Sequence, residues 1–449
     1  MPEQTRAPAF IDGLYGKLVE GGINYFFPAS KLQALETGLE VIEHGTIDSS
    51  DLNSLILHWL GSRYMLTRTE AFSEEERRLL KAIEAVLESR YRMIADTERV
   101  QQRFELFRGL PEDRYVSACI ESTPYTQEIW QGPDRVEDAI EVLRTSSLST
   151  YENRRISTGV LLFGKHSDPC HEPPVTPVGA LRYSPALTSI RSFYRLCDGL
   201  QTLALVDSDG FLVEIVDVEE WARPFSETQL AVPPPAKYRS HAQATLCGGH
   251  ICMILTPNGE MKVFADGVQV FHFWDGRWRL TDIQRKYNLW KEAIGSEDLA
   301  ERLFAAAFNL AEERRGALLV VLADSQMVEK LVSRTDLITS LPDHEGDAVA
   351  GAKEQLHYLL HHKRVLDLPS AVLETVARID GGIVLDSQSN LLAFGAILRH
   401  PDMADPFPEN VEGGRTTAAI AASRFGNVLK ISEDGLISFF QNGRCIWDI

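Results

Sequence analysis

Short apolar runs bounded by Gly, Asp or Pro recur along the second two-thirds of the chain. They lie at 160–163, 202–206, 251–255, 317–322, 383–385 and 428–431. Runs of this length are typical of buried strands, although periodicity alone does not distinguish them from buried helical segments. Helical patterns alternate with these runs. Strands with helices between them predict an α/β fold whose sheet is covered on both faces.

The first 135 residues have a different pattern, which predicts a mostly helical N-terminal region. Residues 73–94 begin with Ser73 and a group of acidic residues, as is typical of a helix start. The apolar residues that follow have helical spacing: Leu79, Leu80, Ile83, Val86 and Leu87. We predict another helix that begins after Pro28 and stops at Gly45.

Composition and charge narrow the class of protein. A length of 449 residues suggests two to four domains. The net charge of −19 argues against broad nucleic-acid binding, which needs a basic surface. No apolar segment approaches the ~20 residues of a membrane helix, and the N-terminus lacks a signal-peptide pattern. The six cysteines show no CxxC pair, so we expect a cytoplasmic protein with free thiols and no membrane partner.

The chain contains an internal repeat. Residues 136–155 align with 296–315 at an offset of 160, and 239–267 align with 415–443 at an offset of 176. Two unrelated α/β segments that obey the same local rules are the alternative explanation. Two matched ends in the same order favour duplication. We therefore predict two related domains, 136–290 and 296–449, behind the N-terminal region 1–135, with Pro-rich linkers beginning at His166 and Val232.

The second copy contains the residue types of a nucleotide site. Asp380-Gly381-Gly382 precedes an apolar run, and Gly414-Arg415-Thr416-Thr417 follows another glycine in a small-residue segment. Glycines allow the backbone to approach phosphate, and Arg and Thr donate hydrogen bonds to it. Glu433 and Asp434 stand beside a turn, and carboxylates bind Mg²⁺ or Mn²⁺. Each motif alone is also compatible with an ordinary turn or surface loop.

The combination of motifs resembles the diadenylate cyclase family. Members have a GALIV-like strand, a DGA motif, an RHR motif and a SEETG-like turn, in that order. This chain shows, in the same order, Gly316-Ala317-Leu318-Leu319, Asp380-Gly381-Gly382, Gly414-Arg415-Thr416-Thr417-Ala418-Ala419 and Ser432-Glu433-Asp434-Gly435. The segment 394–398 also resembles the family's AGCxL segment, which lies against adenine. The resemblance covers 296–449, a third of the chain.

The resemblance implies that two ATP molecules are condensed into cyclic di-AMP, with release of pyrophosphate, between two domains that face each other. It implies a metal ion, Mg²⁺ or Mn²⁺, on Asp380 and Glu433, and a homodimer formed through the C-terminal domain. Asp380, Arg415 and Glu433 would be the catalytic residues. The nucleotide-binding residues would be Gly381, Gly382, Gly395, Leu398, Gly414, Arg415, Thr416, Thr417 and Ser432.

Two departures leave the function open. RHR is replaced by Arg415-Thr416-Thr417, which removes an Arg and a His from the phosphate loop. In the first copy Gln201 stands where Asp380 stands, so that copy resembles a non-catalytic sensor domain. Three functions remain: a cyclase regulated by its N-terminal half, a sensor that binds ATP or a cyclic dinucleotide without turnover, and a scaffold.

Overall fold

The structure is a computed structural model that describes residues 9–37, 47–59, 62–95, 108–127, 132–190, 192–338, 357–399 and 413–449. The chain forms two compact units. The first contains 1–229 and 240–282, and the second contains 230–239 and 283–449. Each has a large sheet of mixed parallel and antiparallel strands with helices, which confirms the predicted α/β class. None of the helices in these ranges is both long enough and apolar enough to cross a membrane.

The first unit begins with helices and a small antiparallel sheet of order β1-β4-β3-β2. These elements are α1 (Ala9–Phe26), β1 (Lys31–Thr37), β2 (Ile47–Asp51), β3 (Ser54–Trp59), β4 (Ser62–Thr67) and α2 (Glu74–Ala95). The predicted helix within 73–94 is confirmed. Ser73 Oγ accepts from the Glu76 amide (3.1 Å), and Glu76 Oε2 accepts from the Ser73 amide (2.7 Å), so a capping box begins α2.

The helix predicted after Pro28 is wrong over Lys31–Thr37, because these residues form β1. Leu32 pairs with Leu66 of β4, more than thirty residues later in the chain. Backbone pairing with this distant strand outweighs the local helical pattern, a competition that a sequence window does not register. The N-terminal region therefore combines helices with a sheet. The predicted stop at Gly45 lies outside the described residues.

The rest of the first unit surrounds a seven-stranded sheet of order β13-β12-β11-β10-β7-β8-β9. Only β7 and β8 are parallel neighbours among these strands. The elements are α3 (Pro111–Ile120), α4 (Thr123–Thr126), α5 (Arg135–Ser147), β5 (Thr150–Tyr151), β6 (Arg154–Arg155), β7 (Thr158–Leu162), α6 (Phe193–Leu196), β8 (Thr202–Val206), β9 (Leu212–Asp217), α7 (Val218–Ala222), α8 (Arg239–Gln243), β10 (Ile251–Leu255), β11 (Met261–Ala265), β12 (Val268–Trp274) and β13 (Arg277–Leu280). One buried cluster links this sheet to α1 and α2, through residues that include Tyr15, Leu79, Val160 and Met253.

The second unit is built on a six-stranded sheet of order β16-β15-β14-β17-β18-β19. Its elements are α9 (Ile283–Ile294), α10 (Glu297–Glu312), β14 (Ala317–Leu322), α11 (Val328–Leu331), α12 (His357–Leu360), α13 (Ser370–Ala377), β15 (Gly382–Asp386), β16 (Leu391–Ala396), α14 (Gly414–Ala422), β17 (Gly426–Ile431), β18 (Ile437–Gln441) and β19 (Arg444–Asp448). β14 is parallel to β15 and antiparallel to β17. Read from its other edge, the first large sheet has the order β9-β8-β7-β10-β11-β12, and this matches the order β16-β15-β14-β17-β18-β19 of the second, strand for strand.

Helices cover both faces of the six-stranded sheet. On one face, Ala419 of α14 belongs to the same buried cluster as Val320 and Val428. Successive residues of a strand point to opposite faces, so Leu319 lies on the other side. Leu319 pairs with Leu429, and Leu429 pairs with Phe439, so Phe439 lies on the same face of the sheet as Leu319. The Phe439 ring contacts the ring of Trp290 in α9, with centroids 5.2 Å apart. The whole of β14 is buried, as the continuous apolar run at 317–322 predicts.

Truncation of the central strand tests this core. We expect Leu319→Ala to lower the free energy of unfolding by about 2–5 kcal/mol, because the removed side chain is fully buried and leaves a cavity. The matched control, Leu359→Ala, removes a side chain that is 54% exposed and should change that free energy by less than about 0.5 kcal/mol. Urea unfolding of both variants is the measurement. Equal effects would contradict the assignment of β14 as the core strand.

Candidate functional site

One end of the six-stranded sheet collects the motif segments selected from the sequence. In the sheet register Leu318 pairs with Gly382, Ala317 with Ile431, and Gly382 with Ala396. The beginnings of β14 and β15 therefore lie at the same end as the ends of β16 and β17. The segments 380–382, 395–398 and 432–435 adjoin these strand termini. The start of α14 lies at the same end, because the Arg415 side chain contacts Gly316, which precedes β14. We name this end of the sheet the motif end.

Arg415 lies in the first turn of a helix rather than in an extended loop. Gly413 precedes α14 with φ +93°, a conformation that favours glycine. The amides of Thr416 and Thr417 donate to the Gly413 carbonyl at 3.1 and 3.3 Å. Small residues follow and let α14 lie close to the sheet. The segment predicted as a Gly-rich loop followed by a helix or strand thus becomes helical at Gly414.

Arg415 and Glu433 form an ion pair at the motif end, with Nη1 donating to Oε1 at 2.8 Å. The Arg415 guanidinium occupies the space beside Gly316 that a Cβ would fill. This contact explains why glycine suits the position before β14. The hydrogen bond and charge of Arg415 lower the pKa of Glu433 below its usual value, and the charge of Arg315 lowers it further. The structure therefore brings two of the three predicted catalytic residues into contact.

A basic residue missed by the sequence analysis also lies at this end. Lys430 Nζ donates to Thr416 Oγ1 at 3.2 Å, so a second cation stands beside the Arg415-Thr416-Thr417 turn. A lysine within an otherwise apolar strand run was the available signal. Its importance depends on the pairing of β17 with β14, which turns this side chain toward α14.

The turn after β17 has a fixed geometry. Ser432 Oγ accepts from the Leu436 amide at 3.2 Å, and the Gly435 amide donates to the Ser432 carbonyl at 3.1 Å. Gly435 has φ +87°, and a Cβ there would lie 2.8 Å from Arg314 Nη1. The hydroxyl and carbonyl oxygens of Ser432 thus accept hydrogen bonds within their own turn, while the Glu433 side chain is exposed.

Asp380 lies between the end of α13 and the beginning of β15, with its side chain exposed. Gly381 follows with φ +113°, and a Cβ on it would overlap the backbone of Gly395, which itself has φ +52°. These two glycines are needed for close approach of two backbone segments. The Leu398 side chain is buried, and a Cβ on Gly382 would lie 3.6 Å from its Cδ1.

The two predicted metal-binding carboxylates adjoin the strands that flank β14, because Asp380 precedes β15 and Glu433 follows β17. β14 lies between these two strands, and the register places both carboxylates at the motif end. Carboxylate oxygens are suitable ligands for Mg²⁺, which commonly binds one or two carboxylates together with phosphate and water. Both side chains are exposed at the same end of the sheet, so they fit a metal held jointly with a phosphate ligand.

Comparison with known proteins gives limited likeness. No protein-family model and no curated protein matches the chain. Among solved structures, the chain is similar to a hypothetical membrane spanning protein from Bacillus cereus at 20% identity and TM-score 0.26, covering 36% of this chain and 70% of that one. It is also similar to a double mutant of DacA from Staphylococcus aureus at 19% identity and TM-score 0.20, covering 35% of this chain and 87% of that one. Such low TM-scores carry no argument about this protein.

The ion pair at the motif end gives a direct test. We expect Arg415→Gln to raise the pKa of Glu433 toward the ordinary value of a glutamate, because the donor and charge that stabilise the carboxylate are removed. The stabilisation that the pair gives the wild type is fully present above the unfolded-state pKa. It is lost as the pH falls through the lowered folded-state pKa.

Carbon-detected NMR titration of the Glu433 carboxyl is the measurement, with Arg444→Gln as the control because Arg444 is an exposed cation on β19. The control should leave the titration unchanged. An unaltered Glu433 pKa in Arg415→Gln would show that the pair does not form in solution.

Proposed function

We propose that residues 296–449 form a diadenylate-cyclase-like domain that binds ATP at the motif end and condenses two ATP molecules into cyclic di-AMP, releasing pyrophosphate. The N-terminal half would regulate it. The observation that carries this proposal is the sheet register, because segments far apart in the sequence meet at one end in an arrangement suited to a nucleotide. In this reaction each 3′-oxygen forms a bond to the α-phosphorus of the other nucleotide as the bond to pyrophosphate breaks.

The cations of the motif end support phosphate binding. Arg415 presents a guanidinium fork, and Lys430 adds a point charge beside Thr416. Lys430 thus offsets part of the charge lost where the family's RHR motif becomes Arg415-Thr416-Thr417. The threonine hydroxyls supply further donors. A bound phosphate would compete with Glu433 for Arg415 and release that carboxylate.

Asp380 and Glu433 would hold Mg²⁺ or Mn²⁺, which supplies charge neutralisation on the phosphates. Asp380 is exposed at the beginning of β15, where a carboxylate can orient the attacking hydroxyl. Glu433, once freed from Arg415, becomes available as the second ligand. Arg415 then stays with the phosphate, so both residues change partners as the nucleotide binds.

Exposed apolar side chains support a homodimer through the same face. Ile379 is 43% exposed and Ile397 is 79% exposed, and they flank the Asp380 turn and Leu398. Such side chains suit either a base or a second copy of the domain. Condensation of two ATP molecules requires two competent sites, and the first unit has Gln201 immediately before β8 in place of the acid. The shared strand order of the two large sheets supports an internal duplication in which the first copy is a non-catalytic sensor.

A second candidate is a sensor that binds ATP or a cyclic dinucleotide without turnover. The Arg415–Glu433 pair favours it, because each residue satisfies the other and neither is committed to catalysis. A scaffold without a nucleotide site is the third function.

Incubation of the full chain with ATP and Mn²⁺ or Mg²⁺, with products identified by mass spectrometry, tests the cyclase. We expect cyclic di-AMP from the wild type and at least a hundredfold less from Asp380→Asn, because the metal and the attacking hydroxyl lose their carboxylate. The control Asp367→Asn changes an exposed aspartate in the turn that follows α12 and should retain activity. ATP binding without product favours the sensor, and absence of binding favours the scaffold.

Light scattering with and without ATP and Mn²⁺ tests the assembly. We expect nucleotide to increase the dimer fraction of the wild type, and Ile397→Lys to reduce it, because the substitution places a charge on the exposed apolar face. Leu359→Lys, on another exposed leucine, is the control. A protein that stays monomeric while making product would contradict the dimer requirement.

A further inference from the structure

A cluster of metal-ligand side chains lies in the first unit, where two residues of the Pro-rich segment that begins at His166 meet a histidine that precedes β10. Asp168, His171 and His250 each place a ligand atom within 4.8 Å of the others. Asp168 Oδ2 is 2.8 Å from His171 Nδ1 and 2.7 Å from His250 Nε2. The side chains of Asp168, His171 and His250 are 1%, 13% and 0% exposed. Two imidazole nitrogens thus lie within hydrogen-bond distance of one buried carboxylate oxygen, and the protonation of each ring decides what this arrangement can bind.

The hydrogen bonds assign a tautomer to each imidazole. His171 Nε2 lies 3.1 Å from the Trp221 carbonyl oxygen, which only accepts, so this nitrogen carries a hydrogen. His171 Nδ1 then faces Asp168 with a lone pair unless a proton or a metal ion occupies the gap. A metal-bound histidine typically donates its other N–H to a carbonyl or carboxylate, and His171 does so. Its ring also stacks on Trp221, with centroids 4.0 Å apart.

His250 has the opposite arrangement. The Gly164 amide donates to His250 Nδ1 at 2.8 Å, so the proton of the neutral ring is on Nε2 and points to Asp168. His250 is therefore a positioning residue that holds the carboxylate, and it is not itself a ligand.

Two thiols adjoin the same carboxylate. The Cys170 amide donates to Asp168 Oδ1 at 2.8 Å. Cys247 begins a Cys-Gly-Gly-His turn that packs on the loop, and a Cβ on Gly248 would lie 3.1 Å from Asp168 Cβ. Gly248 and Gly249 have φ near +67° and +68°, the conformation this close approach requires.

We propose that Asp168 and His171 bind one Zn²⁺ ion, that the thiols of Cys170 and Cys247 turn toward the ion on binding and complete the ligand set, and that His250 fixes Asp168 by its Nε2 hydrogen. A set of nitrogen, sulfur and oxygen donors suits Zn²⁺ better than Mg²⁺ or Ca²⁺, which prefer oxygen ligands alone. The ligand atoms of a tetrahedral zinc ion lie about 3.4 Å apart, so the distance between His171 Nδ1 and Asp168 Oδ2 increases by roughly half an ångström on binding.

The cluster lies at the end of its own sheet that does not correspond to the motif end of the second unit. Leu162 at the end of β7 pairs with Ile251 at the start of β10, and the cluster adjoins these two residues. The corresponding strand termini in the second unit are the end of β14 and the start of β17, away from the motif end. The zinc ion would fasten the loop after β7 to the Cys-Gly-Gly-His turn before β10.

Metal titration of the full-length reduced protein, after dialysis against a chelator, tests the site. We expect one Zn²⁺ per chain by elemental analysis and calorimetry. Co²⁺ should give the visible bands of a tetrahedral ion and a near-ultraviolet thiolate charge-transfer band. Cys247→Ser should reduce the intensity of that band by roughly half, because the Cys170 thiolate remains, and should weaken Zn²⁺ binding by about 100-fold or more; His171→Gln should weaken binding similarly. His250→Gln should cost about 10-fold or more while retaining the band, because it acts through Asp168.

Cys445→Ser and His361→Gln, both in the second unit, are the matched controls and should bind Zn²⁺ as the wild type does. Circular dichroism of each metal-free variant establishes folding. Failure of the folded wild type to retain Zn²⁺ would overturn the proposal. Unchanged affinity in both Cys247→Ser and His171→Gln would overturn it as well.

Discussion

The pairing of β14 with one parallel and one antiparallel neighbour is the constraint on which the second unit depends. Because β14 and β15 run in the same direction, their beginnings lie together, and because β17 runs in the opposite direction, its end joins them. Asp380 and Glu433 reach the same end of the sheet for this reason, although 53 positions separate them in the sequence. Burial of every residue of β14 on both faces makes a shift of this register costly.

The charges beside the motif end, rather than the net charge of the chain, determine which ligands that end can bind. The protein has a net charge of −19, yet Arg415 and Lys430 stand beside the same helical turn. Arg415 is held by Glu433, so an incoming phosphate would exchange one anionic partner for another at a site that is already ordered. Such an exchange costs less than the assembly of a phosphate site from flexible side chains, since the guanidinium is already positioned beside Gly316.

The first unit shows that a shared strand order does not fix chemistry. Its large sheet has the order of the second sheet from β9 to β12, but the residue before β8 is Gln201 rather than an acid. The titratable cluster around Asp168 lies at the other end of the sheet, where His250 precedes β10. Each unit thus places its polar groups at strand termini, where loops can vary without loss of the core.

The sequence by itself determined the α/β class, the strand β14 and the helix after Ser73, because continuous burial and capping are local patterns. It also selected Asp380, Arg415 and Glu433 as candidates by residue type and order. Only the tertiary structure decided that 31–37 is a strand, that Lys430 stands beside Thr416, and that His171 and His250 meet at Asp168. These facts depend on contacts between distant segments, and the cost and gain of such contacts are set by the whole fold rather than by a sequence window.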